Sequence, residues 1–161
     1  MTEIKEIRSA AASDLDQLLS IWQGLSQALP SHHFTPFGQP DPDKLCEQLS
    51  ATLQGCLRRE DARVMIALNY DRQIIATLSI ILNKQSVYER PDSAVLFNLW
   101  VSETLRRNGI ATEMLKVAKK WLKANDVTSV QAGWHPQNQA ADRFWQSHGF
   151  SSYETIGACL I

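Results

Sequence analysis

Four consecutive residues, Arg106, Arg107, Asn108 and Gly109, could do recognisable chemistry. They follow an apolar run, Val95 to Val101, that stops at Ser102. They precede apolar residues recurring every three or four positions: Ile110, Met114, Val117, Ala118, Trp121 and Leu122. That period is one face of a helix, so the segment reads as strand, basic loop, helix start. The first turn of a helix carries N–H groups without internal partners, and the aligned peptide dipoles place partial positive charge there. Gly109 lets backbone approach a ligand, and two guanidinium groups suit phosphate oxygens. The chemistry is anion binding, weighed against a plain strand–loop–helix connection. No Gly-Lys-Ser/Thr follows, so this is not a P-loop, and a single glycine does not make a dinucleotide-binding fingerprint.

Bulk properties limit what the site can serve. At 161 residues, with 44% hydrophobic and 20% charged residues, the chain fits one ordinary globular domain, residues 1–161. A net charge of −1 argues against nucleic acid as partner. No apolar run reaches membrane-spanning length and no signal-peptide pattern opens the chain, so no membrane partner and a cytoplasmic location are expected. Cys46, Cys56 and Cys159 lack metal-ligand spacing, and the first two lie in one helical segment where they cannot bridge.

The elements that must position the loop can be read in order. Glu3 to Arg8 is a strand candidate, followed by a helix capped at Ser13 with an apolar stripe from Leu15 to Leu29. Pro30 ends it. Ser31 to Pro40 is a loop holding His32, His33, Phe34 and Phe37, a surface loop more readily than an acceptor-binding one. Asp41-Pro42 starts a second helix, with Leu45, Leu49, Leu53, Cys56 and Leu57 on its inner side. Arg63 to Asn69 and Gln73 to Asn83 form a hairpin. After the central helix, Val127 to Trp134 is a strand broken at His135-Pro136. Gln137 to Ser147 is a helix with Ala140, Ala141, Phe144 and Trp145 facing in, closed by Gly149. Tyr153 to Ile161 is a final strand.

Arg106-x-x-Gly109-x-Ala111 resembles the Q/R-x-x-G-x-G/A signature of the GNAT superfamily, the Gcn5-related N-acetyltransferases. Asn138-x-x-Ala141-x-x-Phe144-Trp145-x-x-x-Gly149-Phe150 resembles its second motif, N-x-x-A-x-x-F-Y-x-x-x-G-F. The resemblance covers essentially the whole chain. It implies an α/β fold with a mixed, mostly antiparallel sheet flanked by helices on both faces, in the order β-α-α-β-β-β-α-β-α-β. It implies acetyl-CoA as acyl donor, no metal, and transfer of acetyl to a primary amine of a small molecule or peptide. The cofactor-binding residues would be Leu99, Trp100 and Val101 on the central strand, Arg106, Arg107, Asn108, Gly109, Ile110, Ala111 and Thr112 in the loop and helix start, and Asn138, Phe144 and Trp145. Asn138 as a plain helix cap and Phe144 as ordinary core are the competing readings. Family members are often dimers, and the free end of the last strand is where a homodimer would pair.

Two departures bear on catalysis. Trp145 stands where the family often has a tyrosine that protonates the leaving thiolate; Tyr153 or Tyr88 could substitute. A thiol with pKa of about 8.5 leaves tolerably without an acid. Phe97 and Asn98 stand where many members carry a glutamate on the central strand. An acceptor amine with pKa of about 10.4 must lose a proton, at a cost of about 4 kcal/mol near neutral pH. His135 is the candidate base, followed by Glu89, Glu103 and the His32/His33 pair; His135 as a loop residue capping the next helix is the competing reading. Without a base, a CoA-binding sensor or protein-interaction domain is the alternative function. The acceptor loops, Pro30 to Pro40 and Gln85 to Ser93, carry few carboxylates, which argues against a polycationic acceptor.

Overall fold

The computed structural model describes residues 4–28, 41–84 and 92–156. Its strands are β1 (Glu6–Ser9), β2 (Ala62–Leu68), β3 (Ile74–Lys84), β4 (Asp92–Val101) and β5 (Ser129–Ala132). Its helices are α1 (Leu15–Ala28), α2 (Pro42–Arg58), α3 (Ile110–Ala124) and α4 (Gln139–Ser147). The strands form one sheet in sequence order, antiparallel from β1 to β4, with β5 parallel to β4. The sheet is mixed and mostly antiparallel, as expected.

Helices cover both faces because the strands are apolar on both. In β2, alternate residues point to opposite sides. Val64, Ile66 and Leu68 join Leu18 and Trp22 of α1 and Leu53 and Cys56 of α2 in one core. Met65 and Ala67 join Ile110, Met114, Leu115, Ala118 and Leu122 of α3 and Trp145 of α4 in the other. The stripes expected on α1 from Leu15 to Leu25 and on α2 from Leu49 to Leu57 pack in the first of these cores; Leu45 is not part of it, and Leu29 lies outside the described residues. Cys46 and Cys56 are free thiols, and burial raises the Cys56 pKa. No helix among the described residues is long and apolar enough to cross a membrane.

Several expectations need correction. Ser13 caps nothing: a 3₁₀ turn, Ala12–Asp14, precedes α1, and the Asp14 carboxylate accepts the Ala11 amide at 2.8 Å. Aspartate wins because it also pairs with Arg8, whose guanidinium meets both carboxylate oxygens at 2.7 and 2.9 Å. On α3, Val117 is 37% exposed and Leu115 is buried. At 100° per residue the buried stripe centres near Ala118, and Val117 lies roughly a quarter-turn from that centre, just past the stripe's edge. Ala140 is exposed, since α4 turns Ala141, Phe144 and Trp145 inward instead. The strand expected through Trp134 stops at Ala132. Tyr153 to Ile156 is exposed and forms no strand. Residues 29–40, 85–91 and 157–161 lie outside the described ones, and with them His32, His33, Tyr88, Glu89, Cys159, most of both acceptor loops and the rest of the final strand.

Candidate active site

The site begins with a fault in the sheet. β4 pairs with β5 only from Ser93 to Leu96, opposite Ser129 to Ala132. Among the described residues, β4 from Phe97 to Val101 continues beside β3 alone. At the point of separation, Asn98 and Leu99 together stand opposite Leu78, the two-against-one count of a β-bulge. Asn98 takes a left-handed φ of 50°, which asparagine tolerates better than most side chains. A bulge bends its strand and sharpens the twist, so β4 swings away and β5 runs out of partner.

The open edge carries usable backbone. Ser102 N–H donates to Ile75 O at 2.9 Å, so Ser102 faces β3. Groups alternate along a strand, which turns Val101 the other way, toward the gap. Its carbonyl is taken by Arg106 Nε at 3.2 Å, leaving its N–H on the open side. Trp100, opposite Thr77, faces β3 with its backbone. Leu99 packs its side chain into the α3-side core.

The loop then climbs to α3. After a 3₁₀ turn, Glu103–Leu105, Arg106 is extended (φ −62°, ψ 156°) and Arg107 is left-handed (φ 67°), the dihedrals of a type II turn. Gly109 is left-handed too (φ 80°, ψ 0°), a conformation that strains residues with a Cβ. No side chain caps α3. Its first helical bond is Glu113 N–H to Gly109 O at 3.0 Å, so the amides of Ile110, Ala111 and Thr112 precede the ladder. Arg106, Arg107, Asn108 and Gly109 are exposed around them. The nearby carboxylates are occupied: Glu103 lies 3.6 Å from Arg106, and Glu113 lies 2.7 Å from Lys116. Amide donors, helix dipole and an exposed Arg107, with no carboxylate paired to it among the described residues, form a donor set that fits a pyrophosphate. Arg106 serves differently from the sequence expectation, since its side chain ties the loop to β4.

Behind the loop stands α4. Asn138 caps it, its Oδ1 accepting Ala141 N–H at 3.1 Å, which is the plain reading of that residue. Trp145 is 5% exposed, stacked on Trp134 at 6.3 Å and edge-on to Phe144 and Phe150 at 5.1 and 4.8 Å. It is core, and Trp134 Nε1 is tied to Asp142 at 2.9 Å. Phe144 is half-buried and packs on the His148 ring at 4.4 Å. His148 was missed in the sequence. Its Nε2 lies 3.2 Å from Thr112 Oγ1, in the first turn of α3. Thirty-six residues separate the two, so no local pattern pointed to the pair.

His135 is half-buried where β5 has ended. Its Nδ1 accepts the Gln137 amide at 3.2 Å and its carbonyl accepts Asn138 N–H at 2.9 Å. The neutral ring then carries its proton on Nε2. Tyr153 is 72% exposed.

The acetyltransferase (GNAT) family model matches residues 22–150. The chain belongs to that family. Among solved structures, the GNAT chain is similar to a predicted acetyltransferase from Clostridium acetobutylicum solved with acetyl-CoA, at 19% identity and TM-score 0.72, covering 96% of this chain and 94% of that one. It is also similar to a transcriptional regulator from Bacillus halodurans (18%, TM-score 0.75, 96% and 99%). A third is an aminoglycoside acetyltransferase from a soil metagenomic sample solved with trehalose (18%, TM-score 0.69, 97% and 94%). At such identities these likenesses speak for the fold. No curated protein matches the sequence significantly.

Proposed function

We propose that this GNAT protein transfers an acetyl group from acetyl-CoA to a primary amine of a small molecule or peptide. The observation that carries the reading is the open edge of β4 running directly into the uncapped start of α3. Ile110, Ala111 and Thr112 amides, with Arg107, would hold the pyrophosphate; the Val101 amide would orient the arm along β4. When bound, acetyl-CoA supplies the activated acyl group. The Val101 N–H is also a donor positioned for a carbonyl oxygen that gains negative charge as an amine attacks. Half-buried Leu99 packs against the core that holds buried Trp145, an apolar backing to the α3 side of the sheet.

Among the described residues, proton chemistry at the site is sparse. Phe97 and Asn98 offer no base on β4, and Glu103 is exposed and close to Arg106. His135 acts as base only by releasing the Gln137 amide from Nδ1. The reading therefore favours acceptors whose amine is already neutral near pH 7. A second reading, a CoA-responsive sensor without turnover, is favoured by Trp145, whose burial removes it from any acid role.

Calorimetric titration with acetyl-CoA, followed by thiol release across amines of graded pKa, separates the two. Micromolar binding with amine-dependent thiol release supports the enzyme. Binding without release from any amine gives the sensor, and no binding overturns both.

A further inference from the structure

Resting on the reading that the start of α3 holds the phosphates of coenzyme A, we infer that His148 is a positioning residue for that end of the cofactor, acting through Thr112. The proton positions follow from the distances. His148 Nδ1 lies 2.8 Å from Phe144 O, and a carbonyl oxygen can only accept, so Nδ1 carries a hydrogen. Ser147 Oγ, 3.1 Å from the same nitrogen, gives its own proton to Phe144 O at 2.7 Å and so accepts from Nδ1. The neutral ring is therefore bare at Nε2, and the Thr112 hydroxyl must donate to it across the 3.2 Å contact.

A hydroxyl has one proton. While Thr112 donates to neutral His148, it has nothing to give an anion. When His148 takes a proton from solvent, Nε2 becomes the donor, Thr112 Oγ1 becomes the acceptor, and the threonine proton is released to turn outward. Side chains lean toward the N-terminus of their helix, so that hydroxyl leans toward the uncapped amides of its own first turn. Thr112 then offers a phosphate two donors, its N–H and its O–H, with an imidazolium behind them. Cofactor binding and His148 protonation must favour each other equally, by linkage.

The other charges facing the ring are fixed. Lys119 Nζ donates to His148 O at 3.3 Å, and the Glu113–Lys116 pair stands beside Thr112 on α3. On α4, Arg143 is exposed, and Phe144, packed on the ring, is uncharged. None of these exchanges a proton between pH 5.5 and 8 by its residue type.

The test measures coenzyme A affinity from pH 8 to pH 5.5 in the wild type, His148→Phe and Thr112→Val. The cofactor's own phosphates titrate in this range, so the imidazole-free His148→Phe protein is the baseline. Wild-type affinity gains about tenfold over that baseline as pH falls. Thr112→Val keeps the titrating ring but loses most of the gain. The His148 Cε1–H resonance, followed by NMR, titrates at higher pH when coenzyme A is bound. Equal pH dependence in the three proteins, or an unmoved His148 midpoint, overturns the inference while leaving the cofactor site standing. If His148→Phe does not fold, Thr112→Val and the NMR midpoint decide alone. A wild type that binds no coenzyme A at any pH overturns the site and the inference together.

Discussion

Two helices of this chain begin in opposite ways. At the start of α2, Asp41 accepts the amides of Asp43 and Lys44 at 3.1 and 3.2 Å, and Pro42 removes one donor altogether. At the start of α3, Gly109 offers no side chain, and three amides stand open among exposed basic residues. The entrance to α4 follows α2, with Asn138 accepting the Ala141 amide, while ahead of α1 Asp14 accepts the Ala11 amide before the 3₁₀ turn. Satisfying these donors is worth about 1 kcal/mol per helix, so a protein that caps α2 and α4 and leaves α3 bare forgoes stability there. Under the proposed function, what the bare entrance gains is an anion site. Family membership says which anion to try first.

The largest effect should come from closing the open entrance. Gly109→Glu places a carboxylate on the pyrophosphate site and a Cβ on a left-handed residue. A Cβ at Gly109 meets no protein atom within 4 Å, so the fold survives with a strain of about 1–2 kcal/mol. Acetyl-CoA affinity should fall at least a hundredfold by calorimetry while circular dichroism stays native. Undiminished affinity in the folded variant would remove the phosphate from this turn. A milder form is Gly109→Asp, since aspartate tolerates left-handed backbone and can cap. It should bind acetyl-CoA at least tenfold more weakly at nearly unchanged melting temperature, as the carboxylate competes for the same amides.

The capped entrance should respond the other way. Asp41→Ala strips α2 of its acceptor and should cost about 1 kcal/mol, read as a fall in Tm of a few degrees. Acetyl-CoA affinity should not change. A loss of affinity without a loss of stability would mean that the two helix starts do not divide their roles as described.

This division explains what was legible in the sequence. Asp41-Pro42 and Arg106-x-x-Gly109 are local signals, because a helix start is decided within a few residues, and α2 and α3 begin where they were expected. The two apolar faces were legible too, since every residue of β2 except Arg63 is buried. The bulge at Asn98 was not legible: it depends on how β4 registers against Leu78 of another strand. The Thr112–His148 contact was not legible either, because it joins two helices through the tertiary fold. Trp145 was placed at the cofactor by its position in a motif, whereas its contacts with Trp134, Phe144 and Phe150 assign the indole to the core.

The smallest effect, at the entrance to α1, sharpens the comparison by pH. Hydrogen bonds from Arg8, the largest cause, and from the Ala11 amide hold the Asp14 pKa below the ordinary carboxylate range, against the opposing effect of burial. A carboxylate depressed in the folded state adds stability that is fully present above its unfolded pKa of about 3.9. That stability is lost as pH falls through the lower folded value, since protonation breaks both the ion pair and the cap. Wild-type Tm should therefore lose this increment below about pH 4, and Asp14→Asn should lack it at every pH. Arg8 is about a third exposed, so the increment should stay below about 1 kcal/mol. The two proteins should differ in Tm at pH 7 and converge as the medium is acidified. Parallel curves down to pH 2 would mean that Asp14 secures this entrance by shape alone. The α1 start would then depend on neither charge nor ligand, a third kind of helix entrance beside the capped α2 and the open α3.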